Sequence, residues 1–158
     1  MVSTMGNLGC EMLFLQETTP AWERSIRARL GKKFPYMKFI NSPGAGGIAV
    51  LSRQPFTSVK RVSPPPGGWF PAMLITFNYK GQKVQVLNLH LHPPLNNRGS
   101  VVSGYFSTKK IRVREVKKYM KQLKPSLPTL LVGDFNEGSG GDAISYLNRR
   151  GYRGALGT

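Results

Sequence analysis

Short apolar runs, each closed by a polar or Gly/Pro break, recur along the chain. Met12-Leu13-Phe14-Leu15 reads as a buried strand. Thr19 can cap a helix with Pro20 at its first position, running to about Leu30 and stopped by Gly31. Strands are predicted over Tyr36–Ile40, Gly47–Leu51 and Phe56–Val62. Asn41 to Gly47 is turn-rich, and Pro64 to Pro71 is a loop holding Trp69 and Phe70. Met73–Tyr79 and Lys83–Leu91 form a hairpin about Lys80-Gly81-Gln82. Residues 95 to 107 are polar with Gly and Ser, which predicts a mobile loop.

Val116, Tyr119, Met120 and Leu123 mark one stripe of a helix over Thr108–Leu123, ended by Pro125 and Pro128. Thr129–Val132 is a buried strand leading into Gly133. Asp142 can cap a last helix, Ala143–Arg149, closed by Gly151. The order β-α-β-β-β-β-β-α-β-α predicts a mixed α/β sandwich with helices outside. The length of 158 residues suits one domain, residues 1–158.

Charge changes this picture most. Lys and Arg total 23 against 7 acids, a formal net charge of +16, which attracts polyanions such as nucleic acid or anionic headgroups. A solubilising basic surface is the plainer alternative. Arg24, Arg27, Arg29, Lys32 and Lys33 crowd the first helix. Lys109, Lys110, Arg112, Arg114, Lys117, Lys118, Lys121 and Lys124 crowd the long one, and both clusters read as solvated faces. No apolar run approaches the roughly 20 residues that span a bilayer. The N-terminus is a poor signal peptide, and Cys10, the single cysteine, suits a reducing compartment. An intracellular location is therefore expected.

Candidate chemistry lies where acids follow apolar runs. Asp134 and Asn136 stand two apart after Gly133. If extended geometry persists, both project from one side while Phe135 enters the core. A carboxylate beside an amide suits a metal's hydration shell, a phosphate oxygen or an attacking water; an ordinary Asp/Asn turn is the alternative. Glu17 ends the first strand and can ligate a hard cation, or simply precede the helix. Asn88 and His90 share one face of the strand ending at Leu91, and His90 either donates to a phosphate oxygen or makes an ordinary hydrogen bond. His92 shares that face next to Pro93. Arg53, Arg98, Lys109 and Lys110 lie on or near loops that can flank a substrate. Trp69 and Phe70 either stack on a base or anchor the proline loop.

Together these pieces resemble the endonuclease/exonuclease/phosphatase superfamily, which includes pancreatic-type deoxyribonucleases, abasic-site endonucleases, inositol-polyphosphate phosphatases and neutral sphingomyelinases. The resemblance rests on Leu13-Phe14-Leu15-Gln16-Glu17-Thr18, Gly47 to Arg53, Val86-Leu87-Asn88-Leu89-His90-Leu91 and Leu131-Val132-Gly133-Asp134-Phe135-Asn136, in the family's order. It implies a four-layer α/β sandwich of two packed sheets flanked by helices, with the site at their upper edges. It implies Mg²⁺, with Mn²⁺ as a substitute, bound through Glu17. It implies that Asp134 positions or activates the attacking water, that Asn136 holds the phosphate and Asp134, and that His90 contacts the phosphate.

The family's first, asparagine-bearing strand and its closing aspartate-histidine strands have no counterpart among these residues. The chain therefore reads as the middle of the domain. Its exposed edges call for a partner chain or self-association. The expected function is Mg²⁺-dependent, nuclease-like phosphodiester hydrolysis. The alternatives are a polyanion-binding member that does not cut, and a phosphoinositide phosphatase or lipid phosphodiesterase.

Overall fold

The computed structural model describes residues 2–44, 46–95 and 101–155. Arg98 and Ala45, which fall in two of the loops read above, lie outside the described residues. Among the described residues, seven strands form two sheets. The first sheet holds β1 (Met12–Thr18), β2 (Tyr36–Ile40) and β3 (Gly47–Ser52), in the order β1-β3-β2, all antiparallel. The second holds β4 (Phe56–Val62), β5 (Ala72–Tyr79), β6 (Gln82–His90) and β7 (Thr129–Asp134), in chain order. Its first three strands are antiparallel, and β7 joins β6 in parallel after a helical crossover.

The alternation of side chains along the strands builds the layers. Ile40, Ile48 and Val50 from the first sheet meet Met73, Ile75, Phe77 and Val86 from the second, which makes the central core. The opposite face of the first sheet, with Phe39, Ala49 and Leu51, takes Ile26 and Leu30 of helix α2 (Pro20–Leu30). The opposite face of the second, with Leu74, Leu87 and Leu89, takes Val116 and Tyr119 of α3 (Val101–Met120) and Ala143 and Leu147 of α4 (Asp142–Asn148). Helix, sheet, sheet, helix is the four-layer α/β sandwich that the resemblance implied.

Thr19 caps α2 as read, its Oγ1 accepting from Trp22 N at 3.2 Å. Three elements differ from the sequence reading. A short helix, α1 (Val2–Asn7), precedes β1 and buries Val2 against the first sheet's outer core. Helix α3 starts at Val101, so part of the segment read as a loop is helical. The N-cap of α4 is Gly141, not Asp142, and it supplies no side-chain hydrogen bond. Strands β1 and β7 are sheet edges on the same side of the molecule, and Leu130 of β7 is 55% exposed. No described helix is long and apolar enough to cross a membrane.

Candidate active site

The C-terminal ends of β1, β6 and β7 converge. β1 carries a bulge: Gln16 pairs with Ile48 and Thr18 with Gly47, leaving Glu17 unpaired in the ladder. Glu17 takes a left-handed φ of 58°, which few non-glycine residues adopt. Such a bulge re-aims a side chain and stores strain at a place where the surroundings fix it. The Glu17 carboxylate is mostly exposed and points at the end of β6, with Oε1 4.0 Å from His90 Nε2. Gly47 makes the bulge fit, because a Cβ there would collide with the Thr18 carbonyl.

β6 brings Asn88 and His90 to the same face, as the alternation predicted. Asn88 is fully buried between the sheets. Its Oδ1 accepts from Gln16 Nε2 at 2.7 Å, and its Nδ2 donates to the Ala49 carbonyl at 3.1 Å. This bond ties β6 to the strand that bears Glu17. His90 is the register partner of Asp134 across the β6–β7 ladder. Burial lowers the His90 pKa and keeps the ring neutral, against the opposing pull of Asp134 and Glu17. Phe70 stacks on the His90 ring at 4.2 Å between centroids and 17° between planes.

β7 approaches β6 through Gly133, whose φ of 128° and closeness to the Leu89 carbonyl both require glycine. Beyond it the extended geometry stops. Asn136 has a φ of 52°, so Asp134 and Asn136 do not project side by side as a continuing strand would place them. The Asn136 N–H donates to Asp134 Oδ1 at 2.8 Å, an Asx turn. Its side-chain Nδ2 donates to the Leu91 carbonyl at 2.7 Å, and Leu91 N donates to the Asp134 carbonyl at 2.9 Å. Phe135 packs against the outer core as expected. The Asp/Asn turn named as the alternative is therefore present, and it fixes the Asp134 carboxylate against the Asn136 amide.

The remaining sequence candidates divide. Trp69 is 44% exposed, with its ring 4.1 Å from that of His92 and edge-on to Phe70, whose ring stacks on His90. His92 lies beyond the end of β6, its Nδ1 2.7 Å from the Pro93 carbonyl. Arg53 follows the far end of β3, about 20 Å along the strand from Gly47 at roughly 3.3 Å per residue. There it meets Glu11 at 3.4 Å, so it does not join Glu17, His90 and Asp134. Its position after a strand looked like a loop beside the site, but β3 runs antiparallel to β1 and delivers it to the opposite edge.

Two buried charged residues of α3 stand out only in the folded structure. Arg112 is fully buried, with Nε 3.0 Å from Glu137 Oε2 and a guanidinium nitrogen 2.7 Å from Thr108 Oγ1. Glu115, also fully buried, accepts from His92 N at 2.8 Å. Burial pushes its carboxyl up to about 7, against the pull of the His92 and Trp69 amides and Arg112. The usable signal was spacing: extending the Val116–Tyr119 stripe by one turn reaches Arg112 and Glu115.

Among the described residues, no group of three or more His, Cys, Asp and Glu side chains is placed to hold a metal by itself. The donors present are an exposed carboxylate at Glu17 and the Asp134 carboxylate across His90. That set fits a hard, water-retaining cation held by one or two carboxylates, and not a closed nitrogen or sulfur site.

The sequence model described as Endonuclease/Exonuclease/phosphatase family matches residues 2–157. No curated protein matches the sequence significantly. Solved structures of similar fold include sphingomyelinase C from Streptomyces griseocarneus, at 17% identity and TM-score 0.69 over 95% of this chain and 61% of that one. A variant of beta toxin from Staphylococcus aureus with bound magnesium ions matches at 14% identity and TM-score 0.68, over 94% and 61%. D. rerio TDP2 complexed with single strand DNA product matches at 14% identity and TM-score 0.68, over 92% and 55%. The chain spans about three fifths of the length of such structures.

Proposed function

The chain belongs to the endonuclease/exonuclease/phosphatase family, whose members are phosphoester hydrolases, and from that premise we propose that its site hydrolyses phosphodiesters in nucleic acid with the help of Mg²⁺. One observation carries the reading: Glu17 lies 4.0 Å from His90 Nε2, and His90 is the ladder partner of Asp134. Two carboxylates thus flank a buried, neutral imidazole at the ends of three strands.

Glu17 would hold the cation. When bound, Mg²⁺ would neutralise charge on a phosphate oxygen. Asp134, held by the Asn136 N–H, accepts a proton from the water that attacks phosphorus in line, while the P–O bond opposite breaks and the departing oxygen takes a proton from solvent. Neutral His90 donates from Nε2–H to a non-bridging phosphate oxygen. Asn136 keeps its side chain on Leu91, so its part is to fix Asp134 against the end of β6. Asn88 holds the β1 and β6 ends in register and touches substrate only through them.

Nucleic acid is favoured over lipid by the net charge of +16 and by the exposed Trp69 ring beside the site. The magnesium ions in the beta toxin variant and the DNA product on the TDP2 structure support the choice of cation and substrate class.

The test uses a labelled single-stranded oligonucleotide and sphingomyelin vesicles, each with Mg²⁺ and with chelator. Glu17→Gln and Asp134→Asn should each lower oligonucleotide cleavage by about 10²-fold or more, and Trp69→Ala should weaken substrate binding by about 1–3 kcal/mol. Mg²⁺ should also raise the Tm of the wild-type chain and not that of Glu17→Gln. Cleavage that survives chelation, or faster turnover of sphingomyelin than of DNA, refutes the proposal.

A further inference from the structure

The outer helix α3 contributes a cation where the sequence pattern called for a solvated face. The Arg112 side chain and that of its partner Glu137 are both fully buried. A buried charge is costly unless paired and hydrogen-bonded, so the contacts of this pair describe what it holds in place.

On one side, Glu137 follows directly after the Asp134–Asn136 turn. Its Oε2 takes the Arg112 Nε–H at 3.0 Å. Its Oε1 takes the Ile144 N–H at 2.8 Å, a free amide in the first turn of α4. Glu137 therefore replaces the cap that Gly141 cannot supply, and Gly141 leaves it room, since a Cβ there would strike the Glu137 carboxyl. On the other side, a guanidinium nitrogen of Arg112 reaches the His92 carbonyl at 3.4 Å, while Glu115, one turn on, accepts from the His92 N–H at 2.8 Å. Both ends of the His92 backbone unit are held by α3. The loop after β7 and the chain after β6 are thus clamped to one helix, behind the Leu91 bonds to Asp134 and Asn136.

We propose that Arg112, through Glu137 and the His92 backbone, is the positioning residue that fixes Asp134 against His90. The proposal rests on the hydrolytic reading above for its kinetic consequence, and not for its structural one.

The test uses the full chain and two variants. Arg112→Lys keeps a charge opposite Glu137 but loses the fork. Arg112→Met with Glu137→Gln removes both charges and keeps an acceptor for Ile144 N–H. Cleavage of bis-para-nitrophenyl phosphate with Mg²⁺ gives kcat and KM. NMR solvent exchange of the Asn136 carboxamide and the Leu91 N–H reports the clamp directly. In either variant that unfolds cooperatively, kcat should fall about tenfold or more with KM nearly unchanged, and both exchange rates should rise about tenfold. A cooperatively unfolding variant that keeps kcat and exchange within about twofold overturns the proposal, as does a loss carried by KM alone. If the wild-type chain cleaves nothing, the hydrolytic reading fails, and the exchange rates still decide the clamp.

Discussion

Gln16 and Asn88 meet across the space between the two sheets, Nε2 to Oδ1 at 2.7 Å. The two side chains join the strand that carries Glu17 to the strand that carries His90, and Asn88 completes the join by donating to the Ala49 carbonyl. Asn88→Leu removes these bonds and the longer one to the Leu15 carbonyl, and leaves Gln16 and Ala49 each short of a partner, at a cost of about 1–3 kcal/mol. Asn88→Asp is expected to be worse at neutral pH, because its second oxygen faces the Ala49 carbonyl with no proton to share. The gap should close as acid protonates the aspartate. Urea denaturation of the three proteins at neutral and acid pH measures this. An aspartate variant as stable as wild type at neutral pH would show that the bond to Ala49 is not made.

Gly133 is the residue on which the position of Asp134 depends. An alanine Cβ would collide with the Leu89 carbonyl oxygen, and the φ of 128° is one that L side chains rarely adopt. Both penalties apply together, so Gly133→Ala should destabilise the fold by more than about 3 kcal/mol. Gly140→Ala, with nothing within 4 Å of its Cβ, should change stability by no more than about 0.5 kcal/mol. Urea midpoints for the pair check the difference. Equal stabilities would mean that β7 leaves β6 by another path than the one described.

Local signals explain what the sequence made legible. The continuous apolar run of Gly47–Ser52 is buried on both faces, and Thr19-Pro20 marked the start of α2 without help from the rest of the fold. Glycine before Asp134 announced a close approach, and the alternation of β6 put Asn88 and His90 on one face. What escaped depends on contacts between elements. The six-residue α1 is too short to show a period. Arg112 looks like any other cation of a basic helix until Glu137, distant in sequence, is folded against it. Arg53 lies away from Glu17 because a strand's direction decides which end its flanking residue reaches, and direction comes from pairing. Strand β7 ends at Asp134, and the left-handed Asn136 two residues on belongs to a turn closed by its hydrogen bond to Asp134.

Glu115 sets a pH dependence whose sign can be worked out. Its carboxyl is raised from 4.5 to about 7 because burial in α3 disfavours the charged form. A group whose folded pKa lies above its unfolded value stabilises the fold fully below the unfolded value, and that contribution is lost as pH rises through the folded one. Glu115 therefore contributes most below pH 4.5 and loses its advantage through about pH 7. His90 and His92 are displaced the other way, lowered by burial, and their contribution is lost as pH falls. Comparison with Glu115→Gln cancels the histidines, which are present in both proteins. Between mild acid and mild base, wild type should lose about 3 kcal/mol relative to the glutamine variant. Urea unfolding at a series of pH values gives this difference directly. A difference that stays flat across the series would mean that Glu115 is ionised in the fold throughout, held by Arg112 and the His92 N–H more strongly than burial opposes it.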